Sequence, residues 1–108
     1  MEQRRTRRFT LQLPLAVTRT GAEKVTQHGL TRNISSGGVL FTAEKSPDVG
    51  GLIEYVITLS SQSHPSVNLR CIGKVLRSEK VASEINEGVY SFAIAATLER
   101  YEFLRSDN

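Results

Sequence analysis

Tryptophan is absent, cysteine and methionine occur once each, and aromatic residues make up 6% of the chain. With Cys71 alone, no intramolecular disulfide can form. Cys71 falls inside an apolar, strand-like stretch from Val67 to Leu76, which reads as a buried, inert thiol. The scarcity of aromatics leaves few platforms on which successive bases could stack, and this argues against a binder of single-stranded nucleic acid. No apolar run approaches the ~20 residues of a membrane-spanning helix. The basic N-terminal segment is followed by no apolar stretch of the kind a secretory leader carries, so a cytoplasmic location is expected.

The usual signatures of catalysis are also missing. There is no phosphate-binding P-loop, no dinucleotide fingerprint and no nucleophile elbow around Ser35 or Ser36. His28 and His64 lie 36 positions apart with no cysteine or carboxylate cluster at ligand spacing around them, and both read as surface or loop histidines. The expectation is a protein without catalytic residues, metal or cofactor, and not an enzyme.

Positive charge is present but concentrated. The 108 residues carry fourteen basic and eleven acidic side chains, a net charge of +3. Arg4, Arg5, Arg7 and Arg8 account for the excess, since the balance without them is −1. A binder of long polyanions spreads its basic residues along a face; a single basic patch suits a small anion. A length of 108 residues, 39% of them hydrophobic and 23% charged, fits one globular domain with a modest core.

Strand signals dominate the remainder. From Phe9 to Val17, apolar residues alternate with Thr10, Gln12, Pro14 and Ala16, the period of a half-buried strand. Pro14, on the outward side, implies an edge position or a bulge. Thr20 to Glu23 reads as a hairpin turn. A second strand is expected from about Lys24 to Arg32, with a bulge near Gly29 because Val25 and Leu30 fall out of phase. Val39–Thr42, Leu52–Leu59, Val67–Arg77 and Val89–Thr97 read as further strands. Ser46–Gly51 and Ser78–Glu87 read as loops. Leu98, Tyr101 and the Glu102–Phe103 pair fall at helical spacing, which predicts a short C-terminal helix over Leu98–Leu104. The sum is an all-β fold, a small six-stranded antiparallel barrel closed by that helix.

Two segments break this pattern. Arg4-Arg5-Thr6-Arg7-Arg8 precedes the first strand, and Asn33-Ile34-Ser35-Ser36-Gly37-Gly38 separates the second from the third. A guanidinium offers a planar fork of donors that fits phosphate oxygens and the O6 and N7 acceptors of guanine, and it stacks on flat rings. Asn and Ser supply short hydrogen-bonding groups, and Gly admits a close backbone approach. Together these residues suit an anionic, base-containing molecule.

In this order and at this spacing, the two segments resemble the R-x-x-x-R and (D/N)-x-S-x-x-G motifs of the PilZ domain, the bacterial receptor module for cyclic di-GMP. The resemblance runs over nearly the whole chain. It implies a six-stranded barrel spanning residues 1–108 as one domain, with residues 1–8 as a flexible switch segment that folds over the ligand. It further implies that Arg4, Arg5 and Arg8 contact phosphates and guanines, and that Asn33, Ser35 and Gly38 contact a guanine and the neighbouring backbone. Signalling would then pass to an unidentified protein effector. Asn33 stands where the family more often has Asp. Its single carbonyl oxygen accepts less well than a carboxylate from the N1–H and N2–H of guanine, so Asn33→Asp is expected to tighten the complex. Two other functions remain open on the residues alone: a nucleotide-independent adaptor of the same fold, and a small nucleic-acid-binding barrel. Arg32 and Arg77 could widen the basic patch, although residues of this kind are mostly solvated surface.

Overall fold

The structure is a computed structural model, and it describes residues 12–61, 64–82, 88 and 90–105. The arginine segment and the start of the first expected strand, Phe9–Leu11, lie outside these residues. Seven strands follow one another: β1 Pro14–Thr20, β2 Glu23–Ser35, β3 Gly38–Ala43, β4 Leu52–Ser61, β5 His64–Ala82, β6 Tyr90–Thr97 and β7 Arg100–Arg105. Their order in the sheet is β4-β1-β2-β3-β6-β5-β7, and a β4–β5 ladder closes the first six into a barrel. All pairings are antiparallel.

The alternation seen in the sequence becomes the inside and outside of this barrel. Leu15 and Val17 of β1, Val39 and Phe41 of β3, Ile53, Tyr55 and Ile57 of β4, Cys71 and Val75 of β5, and Ile94 and Ala96 of β6 are all buried. Each Val, Leu, Ile or Phe contributes about 1.5–3 kcal/mol on leaving water. The rings of Phe41 and Tyr55 lie 5.9 Å apart. The Tyr55 hydroxyl donates to the carbonyl of Thr97 at 3.0 Å, which satisfies the one polar atom this large side chain takes inside. Thr31, fully buried, accepts from the Leu13 amide at 2.9 Å. Burial pushes the Cys71 thiol up to about 11, in keeping with an inert residue.

Outside the barrel, Glu54 links four strands. It accepts from the Thr18 hydroxyl at 2.9 Å and from Arg70 Nε at 2.6 Å, and Arg70 reaches on to Glu102 at 3.4 Å. The Thr18 hydrogen bond, then Arg70 and Arg19, hold the Glu54 carboxyl below its usual range against the opposing effect of burial.

Several expectations need correction. The C-terminal helix does not form: Arg100–Arg105 is strand β7, paired with Val67–Ile72 of β5. The reason lies in β5, which runs for 19 residues. β6 covers only its second half, Val75–Ala82, so the first half offers an open edge. Against it, Arg100-Tyr101-Glu102-Phe103 alternates at period two, with aromatics that favour strands. A helix this short has too few turns to be stable alone. For the same reason the expected loop from Ser78 begins late, since β5 continues to Ala82. Gly29 is not at a bulge. It pairs in register with Leu15 and Ala43, and it is glycine because a Cβ would sit 2.1 Å from the Thr42 carbonyl oxygen. The register of β2 shifts instead at two other places, between Lys24 and Gln27 against β1 and between Thr31 and Asn33 against β3. Pro14 opens β1, where no ladder hydrogen bond is lost.

Candidate ligand-binding groove

Two bulges shape one outer face of the barrel. In β2 the register against β3 shifts between Thr31 and Asn33, which turns Arg32 out as an extra, exposed residue. In β5 the register against β6 shifts between Val75 and Arg77, which turns out Leu76, 60% exposed. A bulge re-aims the side chains beyond it. Asn33 now pairs with Leu40, Leu40 with Ala95, and Ala95 with Arg77. These four alternate with the buried Val39, Phe41, Ile94 and Ala96, so they form a row on the outside. Three strand spacings separate Asn33 from Arg77, about 14 Å.

Around this row lies a shallow groove of about 270 Å³, lined by Asn33, Ser35, Gly37, Gly38, Leu40, Leu76, Arg77 and Ala95, with Val39 and Ala96 at its floor. Among the described residues, Arg77 is the one charged member of the lining. The groove therefore favours an anion, and its apolar stretch of Leu40, Leu76 and Ala95 offers a surface for a flat ring.

The polar turn is held from within. The Ser35 hydroxyl accepts from the Gly37 amide and donates to the Gly38 carbonyl, both at 3.3 Å. The Leu98 amide donates to the Gly37 carbonyl at 3.1 Å, which fastens the turn to the β6–β7 link. Gly38 must be glycine because a Cβ would lie 2.8 Å from the Ala96 carbonyl oxygen. Gly37 has nothing within 4 Å of that position. So Ser35 and Gly38 build the turn, and Asn33, half-buried, stands at the groove wall.

Of the six residues expected to form the site, Asn33, Ser35 and Gly38 come together here. Arg4, Arg5 and Arg8 lie outside the described residues. Arg77 joins the groove from 44 positions further along the chain than Asn33, and Leu76 joins with it. The sequence offers Arg77 only as a possible widening of the basic patch, and nothing local marks Leu76; the β5 bulge brings both round. His28 is exposed on β2, away from the groove. Among the described residues no group of His, Cys, Asp and Glu side chains gathers to hold a metal, and no helix is long and apolar enough to cross a membrane.

A larger hollow of about 540 Å³ opens at the other end of β2. Its lining includes Glu23, Val25, Gln27, His28, Glu44 and Lys45, and it reaches Val17 and Ile94 of the core.

Comparison with known proteins assigns the fold a family. The model of the PilZ domain matches residues 2–102. No curated protein matches the chain. Among solved structures, the Bacillus subtilis inhibitor of motility (MotI/DgrA) is similar, with a TM-score of 0.66 at 17% identity over 94% of this chain. The alignment takes up 45% of that protein, so the chain spans about half the length of this relative, and the likeness is one of fold.

Proposed function

The chain belongs to the PilZ domain family, and from that premise we propose that it is a cyclic di-GMP receptor module that passes its signal to a protein partner. The observation that carries this reading is the groove itself. Asn33 stands on one wall, Arg77 on the other, apolar surface lies between them, and no acidic residue among those described lines it. A guanine fits such a place: its edge presents donors to the Asn33 carbonyl, and its face lies on Leu40 and Ala95. The charged phosphates of the ligand call for more cations than Arg77 alone.

Arg4, Arg5 and Arg8 supply them in this proposal. The Leu13 amide donates to Thr31 Oγ1, and the Thr31 amide donates to the Leu13 carbonyl. Leu13 thus sits beside Thr31, two positions before Asn33 on β2. Arg8, five residues before Leu13, has a reach of up to about 17 Å, comparable with the width of the groove. A hydrogen bond to a charged group contributes about 1.5–3 kcal/mol net. Two or three of these add about 3–9 kcal/mol, before the cost of ordering the segment, to what the groove itself contributes. Segment 1–8 folding onto the ligand would change the surface a cytoplasmic effector meets, an order–disorder switch.

Calorimetric titration of cyclic di-GMP into the wild-type chain and an Arg4→Ala/Arg8→Ala variant, with GTP as control, tests the proposal. Saturable binding is expected for the wild type, at least 100-fold weaker in the variant and absent for GTP. Absence of wild-type binding at high micromolar ligand would overturn the receptor reading and leave a nucleotide-independent adaptor.

A further inference from the structure

Among the described residues, β7 is the strand that ends the sheet. Every strand from β1 to β6 has a neighbour on both sides, whereas β7 pairs with β5 alone. An unpaired edge presents a row of backbone donors and acceptors to any strand of matching length, and proteins commonly blunt such edges with proline, lysine or a bulge. β7 has no proline, no lysine and an unbroken register with β5.

Its side chains divide by face. Tyr101 and Phe103 pair with Cys71 and Leu69 and so lie on the core-facing side of the sheet. Because β7 extends past the point where the barrel closes, both stay 61–62% exposed, in an edge-to-face pair at 6.0 Å. Arg100 and Glu102 lie on the opposite side, where Glu102 meets Arg70 at 3.4 Å yet remains 59% exposed. A carboxylate has more acceptor capacity than that single contact uses.

We propose that β7 is a self-complementary edge through which two copies of this chain pair antiparallel. Two identical antiparallel strands are related by a two-fold axis perpendicular to the sheet, so residues of equal parity face one another. The aromatic row then meets its own copy, and so does the charged row. With Tyr101 on the axis, Arg100 stands opposite Glu102 of the second copy, twice. Opposite charges directly across a strand pair stabilise it and like charges destabilise it. The alternation of sign along β7 therefore selects a second β7 over a strand of arbitrary sequence. A six-residue edge buries less than the roughly 1,200 Å² of a stable interface, so dimerisation belongs in the upper micromolar range. It is independent of the nucleotide reading.

Sedimentation velocity of the full chain from 10 µM to 1 mM, without nucleotide, tests this. The wild type is expected to shift from monomer to dimer over that range. Arg100→Glu and Glu102→Arg are each expected to weaken self-association at least 10-fold, because positions 100 and 102, which meet across the axis, then carry one sign on both strands. An equimolar mixture of the two variants is expected to dimerise as well as the wild type. Since Glu102→Arg also removes the contact with Arg70, thermal unfolding of each variant establishes that it is folded, and Phe103→Lys provides a second route to loss of the dimer. A wild type that stays monomeric at 1 mM, or a dimer that Arg100→Glu and Phe103→Lys leave unchanged, would overturn the proposal.

Discussion

The two ends of β2 open onto hollows that differ in size and in chemistry, and size is the poorer guide. The hollow beside Glu23–His28 holds about 540 Å³ and reaches the core at Val17 and Ile94. The groove beside Asn33 holds about 270 Å³. Yet the larger one mixes Glu23, Glu44 and Lys45 around its rim, so it presents no single sign of charge to a ligand. The smaller one has Arg77 without an acid among the described residues, an amide at Asn33 and an apolar strip between them. Its backbone is also more tightly determined, through the Ser35 turn, the Leu98–Gly37 hydrogen bond and the close approach at Gly38. A site that must hold a ligand in one orientation needs such fixed groups more than it needs volume.

The sharpest way to break this contrast is to loosen the tight end. Gly38→Ala drives a methyl to 2.8 Å from the Ala96 carbonyl oxygen, and strand β3 must move away from β6. Overpacking of this kind costs about 1–3 kcal/mol. Urea denaturation is expected to show that loss, and cyclic di-GMP binding is expected to fall more than 10-fold. Gly37→Ala, one residue earlier with open space around it, is expected to cost less than about 0.5 kcal/mol. Equal effects at the two positions would mean that the turn is not held against β6 as described.

What the sequence disclosed and what it concealed follow the same line. The strands with clean alternation, such as Val39–Thr42 and Leu52–Leu59, were legible because the core imposes period two on them. The polar turn was legible because Asn, Ser and Gly concentrate their chemistry within six consecutive residues. The β5 bulge was not. A register shift arises from the fit of one strand against another, so nothing in Val75-Leu76-Arg77 announces that Leu76 turns out and that Arg77 crosses to face Asn33. The last strand is hidden because helical spacing and strand alternation overlap in Leu98–Leu104. The choice between them is made elsewhere, by the uncovered half of β5.

Arg77 therefore carries the next test. If the groove is the ligand site, Arg77→Ala removes one charge-assisted contact. Cyclic di-GMP binding is then expected to weaken about 10-fold, the equivalent of about 1.4 kcal/mol. Lys45→Ala at the rim of the larger hollow is expected to leave the affinity within twofold. Titration calorimetry at fixed salt compares them, because surface charge also acts through screening. The reverse ranking would move the ligand to the larger hollow.

The smallest expected effect lies at Asn33, and it asks how a base would be read. As Asn, the side chain accepts through one carbonyl oxygen and turns a donor NH₂ towards whatever lies beside it. As Asp, it accepts through two oxygens, matching the adjacent N1–H and N2–H of guanine with charge assistance. Against this gain stands repulsion between the new carboxylate and the ligand phosphates, softened by solvent at the half-exposed groove wall. Arg77, about 14 Å across the groove by strand spacing, is too distant to neutralise that carboxylate directly and stays available to the ligand. The gain outweighs the repulsion because the hydrogen bonds act at contact and the phosphates act from further away. Asn33→Asp is accordingly expected to tighten cyclic di-GMP binding about three- to tenfold, with a greater gain at higher salt as the repulsion is screened. An unchanged or weaker affinity at every salt concentration would mean that residue 33 does not read the guanine edge.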